Sequence, residues 1–249
     1  YMDPSLADQL VGGGEEMLGG QNKEATVLFS DIRGFTTLTE ELGAQGTVQL
    51  LNEYFTVMVD CIQAEGGMLD KFIGDAIMAI FGTQFPHEDD DDRGVRCAIA
   101  MMTELNIFIA DRVAQGRLPV DMGVGVNTGF VVSGNIGSPK RMDYTVIGDG
   151  VNLSARLESA CKQYNAHILI SEFTLDKLRG TFRIRDVDKV IVKGKTEPVG
   201  VFEILDYHTD ESFPNMREAL SHFKGGIDLY RTADWDQASK AFKEALALN

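Results

Sequence analysis

Cysteine is scarce in this chain of 249 residues, which has 3, at Cys61, Cys97 and Cys161. An odd count with no close spacing excludes a disulfide framework and fits a reducing compartment. All three lie in apolar helical patterns, where core packing is the expectation. Basic residues are also few, 23 Lys and Arg against 38 Asp and Glu, for a net charge of −15. That balance excludes a broad nucleic-acid surface, which needs clustered cations. It still allows a local cationic pocket for one anionic ligand. No apolar run approaches the roughly 20 residues of a membrane-spanning helix, and no signal peptide is visible, so a cytoplasmic location is expected. Position 1 is Tyr rather than Met, and the chain is expected to continue a longer one with sensor or regulatory domains upstream.

What is present is an ordinary apolar fraction of 44%, enough for a sizeable core. Apolar residues recur at helical spacing in Leu38–Glu65, at Leu50, Leu51, Tyr54, Phe55, Met58, Val59 and Ile62, and Gly66-Gly67 ends that helix. Asp90–Gln115 and Asn152–Tyr164 read as two further amphipathic helices, and Glu172–Leu178 as a short one. Strands are expected at Glu24–Ser30, Met68–Ile73, Ala76–Phe81, Pro119–Val126, Gly129–Ile136, Tyr144–Ile147, Ile168–Ser171, Phe182–Val192 and Val199–Ile204. Helices and strands are mixed without strict alternation. This predicts an α+β fold with an antiparallel or mixed sheet under covering helices.

The expected organisation is a linker with a helix over residues 1–22, a main domain over 23–206 and a helical tail over 207–249. In the tail, Ala219–Tyr230 and Ala233–Leu246 carry small and aromatic residues in a tetratricopeptide-like helix–turn–helix. One such unit cannot bury its own face, so it should pack on the main domain or begin an array. The run Glu88-Asp89-Asp90-Asp91-Asp92 reads as a solvated loop or a helix N-terminus rather than a metal site.

Two other acids stand out. Asp31 in Phe29-Ser30-Asp31-Ile32-Arg33-Gly34-Phe35-Thr36 and Asp75 in Lys71-Phe72-Ile73-Gly74-Asp75 each end a largely apolar strand beside a glycine. Burying an unpaired carboxylate is costly, so a cation is the natural complement; a turn-capping role is the alternative. Hard oxygen ligands suit Mg²⁺ or Mn²⁺, which also bridge phosphates. Gly34, Phe35 and Thr36 lead into a helix whose free N–H groups suit a phosphate.

These two segments, together with Tyr144-Thr145-Val146-Ile147-Gly148-Asp149-Gly150-Val151-Asn152-Leu153-Ser154-Ala155-Arg156-Leu157-Glu158, resemble the catalytic domain of class III nucleotidyl cyclases. The likeness runs from about Glu24 to Ile204 in the family's order. It implies a ferredoxin-like α+β fold and a head-to-tail homodimer with two interface sites. It implies adenylate cyclase activity, ATP to 3′,5′-cyclic AMP and pyrophosphate, in signal transduction. Asp31, Asp75 and the Ile32 carbonyl match the ligands of two Mg²⁺ or Mn²⁺ ions. Gly34, Phe35 and Thr36 match the phosphate-contacting backbone. Asn152 and Arg156 match the pair that orients the ribose and stabilises the α-phosphate, and Lys193 matches a lysine for the terminal phosphates. Lys71 and Thr145 match the purine-selecting positions, and this pair resembles the bicarbonate-stimulated subgroup. A guanylate cyclase and a non-catalytic nucleotide-binding relative are the alternatives. No protein general base emerges, since His87 and His167 lie outside the motifs. Gly123-Val124-Gly125-Val126-Asn127-Thr128-Gly129 superficially suggests a dinucleotide fingerprint but leads into another strand.

Overall fold

A computed structural model describes residues 20–138, 140–190 and 198–248. Most of the expected linker segment and the expected phosphate ligand Lys193 therefore lie outside the described residues. The elements run β1 (Gln21–Ile32), α1 (Phe35–Ala64), β2 (Met68–Ile73), β3 (Ala76–Phe81), α2 (Asp90–Ala114), β4 (Met122–Ser138), β5 (Arg141–Ile147), α3 (Asp149–Tyr164), β6 (Ile168–Ser171), α4 (Glu172–Leu175), β7 (Ile184–Val190), β8 (Val199–Ile204), α5 (Met216–Arg231) and α6 (Trp235–Leu246). The strands form one mixed sheet in the order β2-β3-β1-β4-β6-β8-β7, with β5 added to β4. Among the described residues only the β4–β6 pairing is parallel. The fold is the expected α+β type.

Strand alternation sends side chains to two faces. On one face Leu28, Ile32, Ile77, Ala79, Phe81, Val124 and Val126 pack with Tyr54, Met58 and Ile62 of α1 and Val95, Met101 and Leu105 of α2. The other face splits. Leu153, Leu157 and Cys161 of α3 meet Leu169, Val199 and Val201, while Val146 of β5 joins Val27, Met78, Ile80 and Val131. All three cysteines are free and buried, as core packing requires.

The structure corrects several boundaries. The two strands expected at Pro119–Val126 and Gly129–Ile136 are a single 17-residue strand, β4. Its first part pairs with β1 from Met122 to Ser133, and its far end pairs with β5 from Val132 to Ser138. Gly129 is neither a break nor a left-handed turn. α1 begins at Phe35 and bends at Gly43, whose φ of 64 and ψ of 178 leave the helical range. α4 stops at Leu175 rather than Leu178.

Gly123 and Gly125 serve a close approach. A Cβ on Gly125 would lie 2.2 Å from the Glu158 nitrogen and 2.3 Å from the Ser154 oxygen. The bare backbone lets α3 sit directly on β4, which is why the false fingerprint is glycine-rich. The helical tail does dock on the main domain: Arg231 pairs with Asp186 of β7 at 2.8 Å, and the Arg185 guanidinium lies over the Phe223 ring at 4.8 Å.

Candidate active site

The site begins where β1 ends. Asp31 falls on the sheet face that carries Ala25, Val27 and Phe29, because side chains alternate. Its partner arrives through the β2–β3 hairpin. Gly74 takes a left-handed φ of 67, a conformation glycine adopts without strain, and the turn sets Asp75 against Asp31. The two carboxyl groups are within hydrogen-bonding reach. Burial first, then the hydrogen bond and charge of Asp75 and the charge of Glu158, push the Asp31 carboxyl up to about 7. Glu158 of α3 is itself pushed up by burial, with Asp75 adding to the effect and Arg33 opposing it.

This donor set fits a divalent cation. Two carboxylates that cannot comfortably ionise together gain from a cation between them, and hard oxygens suit Mg²⁺ or Mn²⁺. Among the described residues no three His, Cys, Asp or Glu side chains gather into a ready-made metal cage. A carboxylate pair open on one side suits an ion whose coordination is completed by phosphates and water.

Arg33 and Gly34 join Asp31 to α1. The Arg33 backbone N–H donates to the Asp121 carbonyl at 2.8 Å, and its guanidinium pairs with the Asp121 carboxylate at 3.1 Å and donates to the Ala166 carbonyl. His167 Nε2 meets the same carboxylate at 3.1 Å. These contacts anchor the loop after Asp31. Gly34 caps α1 with a φ of 67, and no side chain caps the helix. The N–H groups of Phe35 and Thr36 therefore remain open toward an anion.

Lys71 and Thr145 come together although 74 positions separate them in sequence. β5 folds over the face formed by Val27, Met78 and Ile80, and Thr145 Oγ1 donates to Asp70 Oδ2 at 2.9 Å. Lys71 Nζ lies 3.3 Å from the same oxygen.

Asn152 and Arg156 sit elsewhere on α3. At about 100° per residue they share one side of the helix, roughly 135° round from the centre of its buried side, which carries Leu153, Ser154, Leu157 and Cys161. Within one chain they are turned away from the sheet that bears Asp31. The structure thus unites Asp31 with Asp75 and Lys71 with Thr145, and leaves Asn152 and Arg156 on an outward side.

Sequence reasoning missed four participants: Glu158, Asp70, and the Arg33–Asp121 anchor. Glu158 and Arg33 stand inside the quoted motifs, and their charge beside Asp31 was the available signal. Asp70 and Asp121 reach the site through long-range pairings that local pattern does not reveal.

A family model for the adenylate and guanylate cyclase catalytic domain matches residues 19–204. The terminal-differentiation specific adenylate cyclase of Dictyostelium discoideum is 38% identical over 228 residues, covering 89% of this chain and 10% of that protein. An adenylate cyclase of Anabaena cylindrica is 37% identical over 196 residues, covering 76% of this chain and 38% of that protein. The chain thus spans well under half the length of these relatives. The crystal structure of the adenylyl cyclase CyaB from P. aeruginosa superposes with a TM-score of 0.72 at 40% identity, covering 78% of this chain and 99% of that one. A guanylyl cyclase crystal structure superposes with a TM-score of 0.70 at 39% identity, covering 75% of this chain and 94% of that one.

Proposed function

The chain belongs to the adenylate and guanylate cyclase catalytic-domain family, whose model matches residues 19–204, and from that premise we propose that it is an adenylate cyclase acting in signal transduction. Its reaction converts ATP to 3′,5′-cyclic AMP and pyrophosphate at sites shared between two copies of the chain. The observation that carries this reading is the meeting of Asp31 with Asp75 in a carboxylate pair that holds a proton up to about 7. No structural need is served by such a pair; a cation-bound triphosphate gives it one.

In the reaction the ribose 3′-oxygen forms a bond to the α-phosphorus, the bond from that phosphorus to the β-bridging oxygen breaks, and pyrophosphate leaves. The hydroxyl proton passes to solvent. Asp31, Asp75 and the Ile32 carbonyl would hold two Mg²⁺ or Mn²⁺ ions. Such ions, when bound, lower the pKa of the 3′-hydroxyl and offset the triphosphate charge. The open N–H groups of Phe35 and Thr36 after Gly34 receive phosphate oxygens. Asn152 orients the ribose for in-line attack. Arg156 stabilises charge developing on the α-phosphate, and Lys193 neutralises the terminal phosphates.

A second copy supplies Asn152 and Arg156 to the Asp31–Asp75 pair of the first. Their outward position on α3, opposite Leu157 and Cys161, supports this arrangement. So do the exposed apolar side chains of Ile73, Phe130, Met142 and Ile147, which a partner would cover. A two-fold homodimer is isologous and holds two equivalent sites.

ATP rather than GTP follows from Lys71 and Thr145. The lysine donates to adenine N1 and the hydroxyl accepts from the 6-amino group. Guanylate cyclase is the second reading, favoured by the nearly equal likeness to a guanylyl cyclase structure at 39% identity. Turnover of ATP and GTP by purified protein, each with Mg²⁺ and Mn²⁺, tests the proposal: cyclic AMP as main product supports it, and cyclic GTP as main product establishes the second reading. The Lys71–Thr145 pair also implies activation by bicarbonate. Turnover at fixed pH should rise with bicarbonate, and an equal rise with chloride would reduce the effect to ionic strength.

Among the described residues no helix is long and apolar enough to cross a membrane. We assign residues 23–206 to catalysis, residues 1–22 to a linker that follows upstream sensor domains, and residues 207–249 to a tetratricopeptide-like tail. Truncation before residue 207 tests the division: a folded, active core is expected.

A further inference from the structure

β2 is irregular at one residue. Leu69 pairs with Ala79 and Lys71 with Met78, so Asp70 is an extra residue in the ladder. A bulge of this kind breaks alternation and re-aims a side chain. In a regular strand Asp70 and Lys71 would point to opposite faces. Here both reach one place: Asp70 Oδ2 accepts from Thr145 Oγ1 at 2.9 Å and lies 3.3 Å from Lys71 Nζ. The Asp70 side chain is 0% exposed. Its other oxygen is buried and has no hydrogen-bond partner, so Thr145 and Lys71 are the donors the described residues bring to this carboxylate.

A free threonine hydroxyl is ambiguous, since it can donate its proton or accept with its lone pairs. A carboxylate only accepts. With Asp70 ionised beside the Lys71 ammonium, the Thr145 proton is committed to Asp70. Only lone pairs remain to face a bound base. Adenine presents an amino donor at C6 and an acceptor at N1, whereas guanine presents an acceptor carbonyl at C6 and a donor at N1. We propose that Asp70 is the residue that sets purine choice, by fixing the Thr145 hydroxyl as an acceptor and holding the Lys71 ammonium beside it as a donor. Asp70 is a positioning residue: it acts through Thr145 and Lys71 without touching the base. This inference rests on the reading of Lys71 and Thr145 as the base-contacting pair.

The test is equilibrium binding of 3′-deoxy-ATP and 3′-deoxy-GTP, which cannot cyclise, in the presence of Mg²⁺. Asp70→Leu removes the acceptor at similar volume, and the Lys71 ammonium it leaves behind belongs to a side chain that is 40% exposed, so no buried charge is orphaned. Asp70→Ala serves if the leucine variant does not fold. The ratio of the two dissociation constants should move about tenfold toward guanine, the effect of one lost discriminating hydrogen bond. In a Thr145→Val background the hydroxyl is gone and only the contact with Lys71 remains, so the Asp70 substitution should shift the ratio clearly less than it does in the wild-type background. Thr145→Ser, which keeps the hydroxyl, should retain the wild-type ratio. An unchanged ratio in a folded Asp70 variant would overturn the inference, as would an equal shift in the valine background. Failure of the underlying reading looks different: Thr145→Val and Lys71→Ala would both leave the wild-type ratio untouched.

Discussion

Two acidic regions of this molecule behave in opposite ways. At the start of α2, the run from Glu88 to Asp92 is the densest negative charge in the sequence, yet each carboxylate has donors. Asp89 pairs with Arg93 at 3.0 Å and Arg96 at 3.1 Å. Asp90 accepts from the His87 backbone at 2.6 Å. Asp91 accepts from Thr26 at 2.8 Å and Thr128 at 2.7 Å. Asp92 accepts from the Gly180 and Arg179 backbone N–H groups at 2.7 and 3.1 Å. Glu88 pairs with Arg179 at 3.0 Å. At the end of β1, by contrast, Asp31 meets another acid, and a third acid, Glu158, adds its charge. Density of charge marks a staple that ties α2 to β1, β4 and the loop after α4. Crowding without neutralisation suits the cation and the anionic substrate that the proposed function requires there.

The largest effect is expected where the carboxylates are not neutralised. Asp31→Ala or Asp75→Ala should lower kcat for ATP by about a thousandfold, the several kcal/mol that an ion contributes at the reacting phosphate, while far-UV circular dichroism stays unchanged. Near-normal turnover in either variant would return both residues to a turn-capping role. Asp92→Ala should do the reverse. It leaves the Arg179 and Gly180 backbone donors unpaired and should cost about 2–4 kcal/mol in urea unfolding, with kcat at low temperature nearly unchanged. A lost kcat with retained stability would erase the contrast between the two regions.

A smaller effect separates the regions by pH. Burial and the neighbouring acids push the Asp31 carboxyl up to about 7 in the folded chain, from the 3.8 of an ordinary aspartate. Between those values the folded protein holds a proton that the unfolded chain has lost, so this group makes stability fall as pH rises. The metal-free melting temperature of Asp31→Asn should therefore exceed that of the wild type at pH 8 and converge with it near pH 4. Mg²⁺ or Mn²⁺ should raise the wild-type value at pH 8 and leave the variant almost unmoved. Identical pH profiles for the two proteins would mean that Asp31 is not held protonated by its neighbours.

Much of this was legible in the sequence, for physical reasons. The spacing of Leu50, Tyr54, Met58 and Ile62 marked the buried side of α1, and Gly74-Asp75 marked the hairpin that delivers Asp75. The motifs also singled out Asp31, Asp75, Lys71 and Thr145, which the fold brings together as two pairs. The acidic run was correctly placed at a helix N-terminus but not as solvated: Asp90 and Asp92 are buried, held by partners 3 to 88 positions away. β4 was read as two strands because Gly129 looks like punctuation locally. Its continuity comes from β1, which pairs across that position at Ala25. Asp70 passed unnoticed because a bulge, invisible in the alternation pattern, turns it toward Thr145.

The central claim is that each site takes its carboxylates from one chain and its Asn152–Arg156 pair from another. Mixing two inactive proteins, Asp75→Ala and Arg156→Ala, tests this directly. Each mixed dimer has one site carrying both lesions and one carrying neither. Cyclic AMP production should reappear on mixing and follow the fraction of heterodimer measured by native mass spectrometry. Heterodimers that form and stay inactive would mean that each site is built within a single chain.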